Sequence, residues 1–114
     1  MPNNSSEVFL ESDTIEHVYA GEGVTRQLLG FDEKIMLVKV YFVKDAIGAK
    51  HSHPHVQSSY IASGKFEVSI GDETKILKEG DGYFVPPHII HGVVCLEDGI
   101  LIDSFNPVRA DFLS

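Results

Sequence analysis

The chain has 114 residues, of which 43% are hydrophobic and 23% are charged, a composition typical of one soluble globular domain. Its formal net charge is −8, which argues against nucleic acid or an anionic membrane surface as a partner, because both need clustered cations. No apolar run approaches a membrane span of about 18 residues, and the lone Cys95 excludes a disulfide framework. The polar start, Met1–Glu7, resembles neither a signal peptide nor a transit peptide, so we expect a cytoplasmic protein.

The first third of the chain is weakly patterned. Met1–Glu7 is expected to be disordered, and Glu16–Tyr19 and Val24–Leu29 are candidates for edge strands. The segment Ile35–Val43 is rich in β-branched and aromatic residues, which is typical of a largely buried strand.

After this strand, short apolar segments alternate with turns that begin at Asp45 and Gly48. The further predicted strands are Val56–Ile61, Lys65–Ile70, Thr74–Lys78, Tyr83–Val85, Ile89–Leu96 and Gly99–Phe105. Ser63-Gly64 and Glu97-Asp98 are predicted to end two of them. Short strands separated by turns predict an all-β sandwich or barrel. The tail, Asp111–Ser114, is expected to cap that barrel or to contact a neighbour.

The histidines are the most informative feature of the sequence. Five of the six lie between positions 51 and 91, namely His51, His53, His55, His88 and His91. Side chains two positions apart on a strand share a face, so His51, His53 and His55 have one parity, and Gln57 shares it. Imidazole nitrogens bind zinc, copper, iron and nickel, and an amide oxygen can complete such a set. His91, from a distant strand, is the candidate for closing the site; a solvated, histidine-rich turn is the alternative.

Two motifs in this region resemble those of the cupin family. The first, G-x5-H-x-H-x3–4-E-x6-G, is matched by His51, His53 and Gly64. Gln57 stands at the glutamate position of this motif, and Asp45 stands at its opening glycine.

The second motif, G-x5-P-x-G-x2-H-x3-N, falls on Gly80, Pro86 and His91. His88 replaces its second glycine and Cys95 replaces its asparagine. The resemblance covers residues 35–105 and implies a single-domain, double-stranded β-barrel, or jelly roll. It also implies one divalent metal ion (Ni, Zn, Mn or Fe) at the mouth of the barrel. The implied ligands are His51, His53, Gln57 and His91, and His55 is left out.

The amide at position 57 has a chemical consequence. Three neutral imidazoles and a neutral amide leave the +2 charge of the ion uncompensated, which makes it a stronger Lewis acid toward an anionic substrate. We therefore expect proton-transfer chemistry rather than redox chemistry. The alternative is that Gln57 marks a site that has lost its metal.

A carboxylate follows on the last predicted strand. Leu101, Asp103 and Phe105 share one face, and a carboxylate within such an apolar strand is costly to bury unless it is paired or functional. If that face lines the barrel, Asp103 reaches the metal pocket; otherwise it is a partly exposed residue near a strand end. Arg109 could reach the mouth as a bidentate clamp for a carboxylate, or be a surface cation.

Three strings, His51–Gln57, Pro86–Val94 and Leu101–Leu113, resemble the KdgF family of cupins, which the glutamine at position 57 also fits. This resemblance implies linearisation of the 4,5-unsaturated monouronates from pectin or alginate to 4-deoxy-5-keto uronates. It implies Asp103 as the catalytic acid/base, with Phe105 and Arg109 shaping the pocket for the sugar acid. The alternatives are another metal-cupin enzyme, a dioxygenase or lyase, and a non-catalytic sugar-acid-binding cupin. We also expect a homodimer, because an open sheet edge favours association.

Overall fold

Strands dominate residues 4–113, the part of the chain that the computed structural model describes, which confirms the predicted all-β class. Two 3₁₀ turns, Ser12–Thr14 and Ala110–Phe112, flank the strands. The strands are β1 (Val18–Gly21), β2 (Val24–Phe31), β3 (Met36–Phe42), β4 (Ile47–His51), β5 (Val56–Ile70), β6 (Glu73–Lys78), β7 (Gly82–Val85) and β8 (His91–Asn106). No helix in this part of the chain is long and apolar enough to cross a membrane.

The two long strands, β5 and β8, organise the barrel. They pair with each other along their whole lengths, and each takes different outer partners along its two halves. The first half of β5 pairs with β7 and its second half with β6, whereas β8 pairs first with β4 and then with β3. Beyond β3 the sheet continues with β2 and ends at β1. Two antiparallel sheets that share β5 and β8 therefore form the jelly roll.

The sheets join at a bend in the middle of β5 and β8. The sequence predicted strand ends at Ser63-Gly64 and at Glu97-Asp98, but both strands continue through these positions with irregular register. Gly64 has a φ of 86°, and a Cβ there would lie 2.5 Å from the carbonyl oxygen of Asp98. The glycine thus permits a close approach of two backbones within a continuous ladder, and the prediction of two strand ends was wrong for this reason.

Two further expectations need correction. Gly48, predicted to lie in a turn, belongs to β4, and the turn is formed by Asp45, whose φ is 75°. Within the segment predicted to be disordered, Met1–Asn3 lie outside the described residues. The backbone N–H of Ser6 donates to the Phe31 carbonyl at 2.8 Å, and the Phe31 N–H donates to Ser6 Oγ at 3.0 Å. Hydrogen bonds to β2 therefore hold this end of the segment in place. The two predicted edge strands are present as β1 and β2, but only β1 lies at an edge, because β2 pairs with both β1 and β3.

The core fills the inside of the barrel in two clusters. One surrounds the edge-to-face pair of Phe42 and Phe66, whose ring centroids are 5.2 Å apart, and it closes one end. The other contains Met36, Val38 and Phe105, and Phe112 from the tail packs against it. The space between the two clusters is the cavity described next.

Candidate metal and substrate site

Three histidines converge where β4 ends and β8 begins. His51 and His91 are direct partners in the β4–β8 ladder, and their ring centroids are 4.5 Å apart. The ring of His53 lies 4.8 Å from that of His91. One nitrogen from each of the three rings lies within 4.8 Å of the others. His53 follows β4 in a loop, so the strand parity used in the prediction does not explain its position. The chain turns after His51, and this turn places the His53 ring beside His91.

Backbone carbonyls fix the orientation of all three rings. Each ring has its Nδ1 atom within hydrogen-bonding distance of a carbonyl oxygen, which can only accept a hydrogen bond. In the neutral ring Nδ1 therefore carries the proton, and the Nε2 lone pair is free to bind a metal. The Nδ1 atoms of His51, His53 and His91 lie 2.9, 3.0 and 2.9 Å from the carbonyl oxygens of Ala49, His55 and Ile89, respectively.

The buried nitrogens of this cluster fit a divalent cation. Burial lowers the pKa of His53 and of His91, which favours the neutral, metal-binding form. His91 Nε2 is buried and has no hydrogen-bond partner within residues 4–113. His53 Nε2 lies 3.0 Å from Gln57 Oε1, so a lone pair on nitrogen faces a carbonyl oxygen. A cation would satisfy all of these acceptors, and three imidazoles with an amide oxygen suit Ni, Zn, Mn or Fe.

A chain of hydrogen bonds leads from this cluster to Asp103. Gln57 Nε2 donates to Ser59 Oγ at 2.9 Å, and the Ser59 hydroxyl donates to Asp103 Oδ1 at 2.6 Å. Leu101, Asp103 and Phe105 are all buried, which confirms the predicted inward face of β8. Burial raises the pKa of Asp103 to about 6, although the Ser59 hydrogen bond and the charge of Arg109 oppose this effect. The carboxyl group can therefore gain or lose a proton near neutral pH.

The C-terminal tail builds one wall of the mouth. Arg109 reaches the cavity, where its Nε and Nη2 donate to the two carboxylate oxygens of Asp111 at 3.1 and 2.9 Å. Its guanidinium carbon lies 5.1 Å from the Phe105 ring centroid and 4.3 Å from that of Phe112. Phe112 packs edge-to-face on Phe105, so this residue of the tail covers the barrel, whereas Leu113 is exposed and Ser114 lies outside the described residues.

These groups surround a cavity of about 330 Å³, at the lower end of the range for small-molecule sites. All of the predicted site residues line it except His53, which is buried beside Gln57. The polar and ionisable lining residues are Arg26, His51, Gln57, Tyr83, His91, Asp103 and Arg109.

Sequence reasoning missed three polar residues here: Ser59, Tyr83 and Arg26. Ser59 and Tyr83 are ladder partners, and Ser59 also pairs with Asp103 across the sheet. Burial and the neighbouring Asp103 raise the pKa of Tyr83, so its phenol stays protonated. Parity could have found Ser59, because it lies two positions after Gln57 on a predicted strand. Arg26 could have been found in the same way, since it lies two positions from Val24 and from Leu28 and so shares their face of the strand.

Comparison with known proteins agrees with this architecture. The family model of the cupin domain matches residues 39–102, more than half of the chain. The chain therefore belongs to the cupin family.

Its relatives narrow this class. It is 48% identical over 95 residues to the pectin degradation protein KdgF of Dickeya dadantii (strain 3937), an alignment that covers 82% of this chain and 86% of that protein. Among solved structures it is similar to KdgF from Halomonas sp., with a TM-score of 0.89, 33% identity, and 94% and 99% of the two chains covered. An RmlC-like cupin from Shewanella frigidimarina NCIMB 400 matches with a TM-score of 0.93 and 46% identity, over 96% and 98% of the chains.

Proposed function

We propose that this protein is an isomerase that linearises 4,5-unsaturated monouronates, the products of pectin or alginate cleavage, to 4-deoxy-5-keto uronates. The observation that carries the proposal is a buried carboxyl group, Asp103, with a pKa raised to about 6 in the same cavity as His51 and His91. The similarity to KdgF over most of the chain supports the choice of substrate.

The reaction needs one group that both accepts and donates a proton. The substrate is a cyclic hemiacetal with a double bond between C4 and C5. Opening removes the proton from the anomeric hydroxyl and breaks the bond between C1 and the ring oxygen, which leaves an aldehyde at C1 and an enolate at C5. Protonation of C4 then gives the ketone, so the product is an isomer and no oxidant is consumed. Asp103, as carboxylate, accepts the first proton and can return it to C4.

The other residues bind and orient the sugar acid. A divalent ion held by His51, His53, Gln57 and His91 would supply Lewis-acid stabilisation of negative charge on a substrate oxygen. Phe105 forms an apolar wall against the sugar ring, and Arg109 adds positive charge beside it. Ser59 holds one oxygen of Asp103, which leaves the other oxygen for the substrate.

Ultraviolet absorbance of unsaturated galacturonate monomer tests this function directly. The conjugated C4–C5 double bond absorbs, and the linear ketone does not. We expect the purified, metal-loaded protein to remove the absorbance faster than the spontaneous reaction does. Chelation should abolish the acceleration, and a divalent metal should restore it.

Asp103→Asn provides the matched control, because it keeps the size of the side chain and removes the base. Its metal content should equal that of the unsubstituted protein, while its rate falls by a factor on the order of 10²–10⁴. A metal-loaded protein that does not accelerate the reaction would overturn the proposed function. Normal turnover by a folded Asp103→Asn variant would overturn the proposed role of Asp103.

We also propose that the protein is a homodimer. Tyr60 and Phe84 lie on the outer surface of the neighbouring strands β5 and β7, and their side chains are 50% and 58% exposed. Apolar side chains placed together on an outer sheet face favour burial against a second copy. Light scattering should give twice the chain mass, and Phe84→Ser should shift the equilibrium toward the monomer; a monomeric unsubstituted protein would refute this.

A further inference from the structure

Arg26 is a cation on the inner face of a barrel strand. It shares one face of β2 with Val24 and Leu28. Val24 is buried in the core, and Leu28 packs against the second core cluster. Arg26 lines the cavity that also contains Asp103. Placing a charged group on an inner face costs free energy unless a partner compensates it. An anion bound beside Arg26 would therefore be stabilising.

The contacts of Arg26 leave its hydrogen-bond donors available. Its guanidinium carbon lies 3.7 Å from the centroid of the Phe112 ring, so the planar group is in contact with an aromatic face. Such a contact uses the face of the guanidinium and leaves the N–H groups along its edge. Within residues 4–113, no side-chain hydrogen bond or ion pair involves Arg26. Arg109 differs, because Asp111 already occupies its Nε and Nη2 atoms.

The charges around this part of the cavity also favour an anion. Arg26 and Arg109 both contact the Phe112 ring. Asp111 pairs with Arg109 and also acts on Arg26, whereas Asp103 interacts with Arg109. Burial and the charge of Arg109 lower the pKa of Arg26, while Asp111 opposes them, so the two guanidinium groups interact unfavourably. A bound anion would relieve that repulsion.

We propose that Arg26 binds the carboxylate of the sugar acid and makes the cavity selective for substrates in which that carboxylate is free. The inference rests on the proposed function, because it assigns the group that recognises the uronate carboxylate. It separates the roles within the cavity: Arg26 recognises the acid, Arg109 braces the tail through Asp111, and Asp103 transfers the proton.

Isothermal titration calorimetry with two saturated ligands tests the assignment without any turnover. The ligands are galacturonate and its methyl ester, which have the same sugar ring; the ester replaces the charged carboxylate by a neutral, methylated carboxyl group. We expect the unsubstituted, metal-loaded protein to bind galacturonate at least about tenfold more tightly than the ester. Arg26→Gln should lose about 10- to 100-fold in affinity for galacturonate and keep its affinity for the ester. Arg26→Lys should retain part of the preference, because it keeps the charge without the planar group.

Lys75→Gln is the matched control, because it removes one exposed positive charge from β6, far along the sheet from β2. It should behave as the unsubstituted protein does. Equal losses for both ligands in Arg26→Gln would show that Arg26 only supports Phe112, and would overturn the proposal. The proposal also fails if Arg109→Gln abolishes the preference while Arg26→Gln preserves it, or if the unsubstituted protein does not distinguish the ligands. A protein that binds galacturonate through Arg26 but leaves unsaturated galacturonate unchanged would refute linearisation alone.

Discussion

The Ser59 hydroxyl donates a 2.6 Å hydrogen bond to Oδ1 of Asp103, and the two residues are direct partners in the β5–β8 ladder. The sheet itself therefore sets the separation of hydroxyl and carboxyl. Gln57, two positions earlier on the same face of β5, donates to the same hydroxyl. Strand β5 thus carries both Gln57, whose amide contacts the histidine cluster, and Ser59, whose hydroxyl orients the carboxyl of Asp103.

Removing this hydroxyl should change the pH dependence of the reaction. The Ser59 hydrogen bond lowers the pKa of Asp103 by stabilising its carboxylate, so Ser59→Ala should raise that pKa. The acidic limb of the kcat/KM profile should then move to higher pH. Ser58→Ala is the control, because Ser58 lies on the exposed face of the same strand. An acidic limb that does not move in Ser59→Ala would contradict this role.

The buried carboxyl should also cost stability. Its pKa is about 6 in the folded protein, against 3.8 for the group in solvent, so the folded state holds this proton more tightly than the unfolded state does. Stability should therefore decrease as the pH rises from about 4 to about 6, and above this range the cost should be about 3 kcal/mol.

Asp103→Asn removes this titration. Without metal, the variant should be more stable than the unsubstituted protein at pH 7.5 and should lose this advantage below about pH 4. Urea unfolding of the chelated proteins at the two pH values measures the difference. An advantage that is the same at both pH values would show that the effect does not come from ionisation.

Metal binding should depend on His91, whose Nε2 is buried without a hydrogen-bond partner within residues 4–113. His91→Ala removes one of three converging imidazoles, so its metal content and the rise in Tm on adding metal should both fall sharply. Gln57→Ala should reduce both by a smaller amount, because three nitrogens remain. His17→Ala, which removes a histidine outside the cluster, should leave both unchanged. Normal metal content in Gln57→Ala would remove Gln57 from the proposed ligands.

The backbone at position 88 predicts a contrast between two substitutions. His88 has a φ of 68°, a left-handed conformation that strains most residues, and its N–H donates to the His53 carbonyl at 2.7 Å. His88→Gly should be tolerated, with a change within about 1 kcal/mol, because relieved strain offsets the greater freedom of the unfolded chain. His88→Val should destabilise the protein and weaken metal binding through His53. Thermal unfolding and metal content measure both effects, and equal Tm values for the two variants would contradict the explanation.

The motif positions explain why the barrel could be predicted from the sequence despite the departures. Asp45 and His88 replace motif glycines, and both adopt the left-handed φ that glycine favours. The backbone at both positions therefore has a conformation that a motif glycine adopts readily. The shared inner face of Leu101, Asp103 and Phe105 could likewise be predicted, because strand parity depends only on local geometry.

Other parts of the site depend on contacts between distant segments. The position of His53 comes from a loop that returns toward β8, which no periodicity describes. The pairing of Arg109 with Asp111 requires the tail to fold over Phe105. The continuity of β5 through Gly64 depends on how closely β8 approaches it. Each of these features is decided by tertiary packing, which overrides the local turn chemistry that the sequence displays.

An amide at position 57 gives the hydrogen-bond chain a direction. A carboxamide accepts at its oxygen and donates from its nitrogen, so Gln57 faces His53 with one atom and donates to Ser59 with the other. The Ser59 proton is then committed to Asp103. A glutamate at position 57 would compete with Asp103 for that single proton and would add a second negative charge nearby. The glutamine thus keeps a second acid away from the proton-transferring carboxyl, and it couples that carboxyl to the histidine cluster through hydrogen bonds that polarise one another.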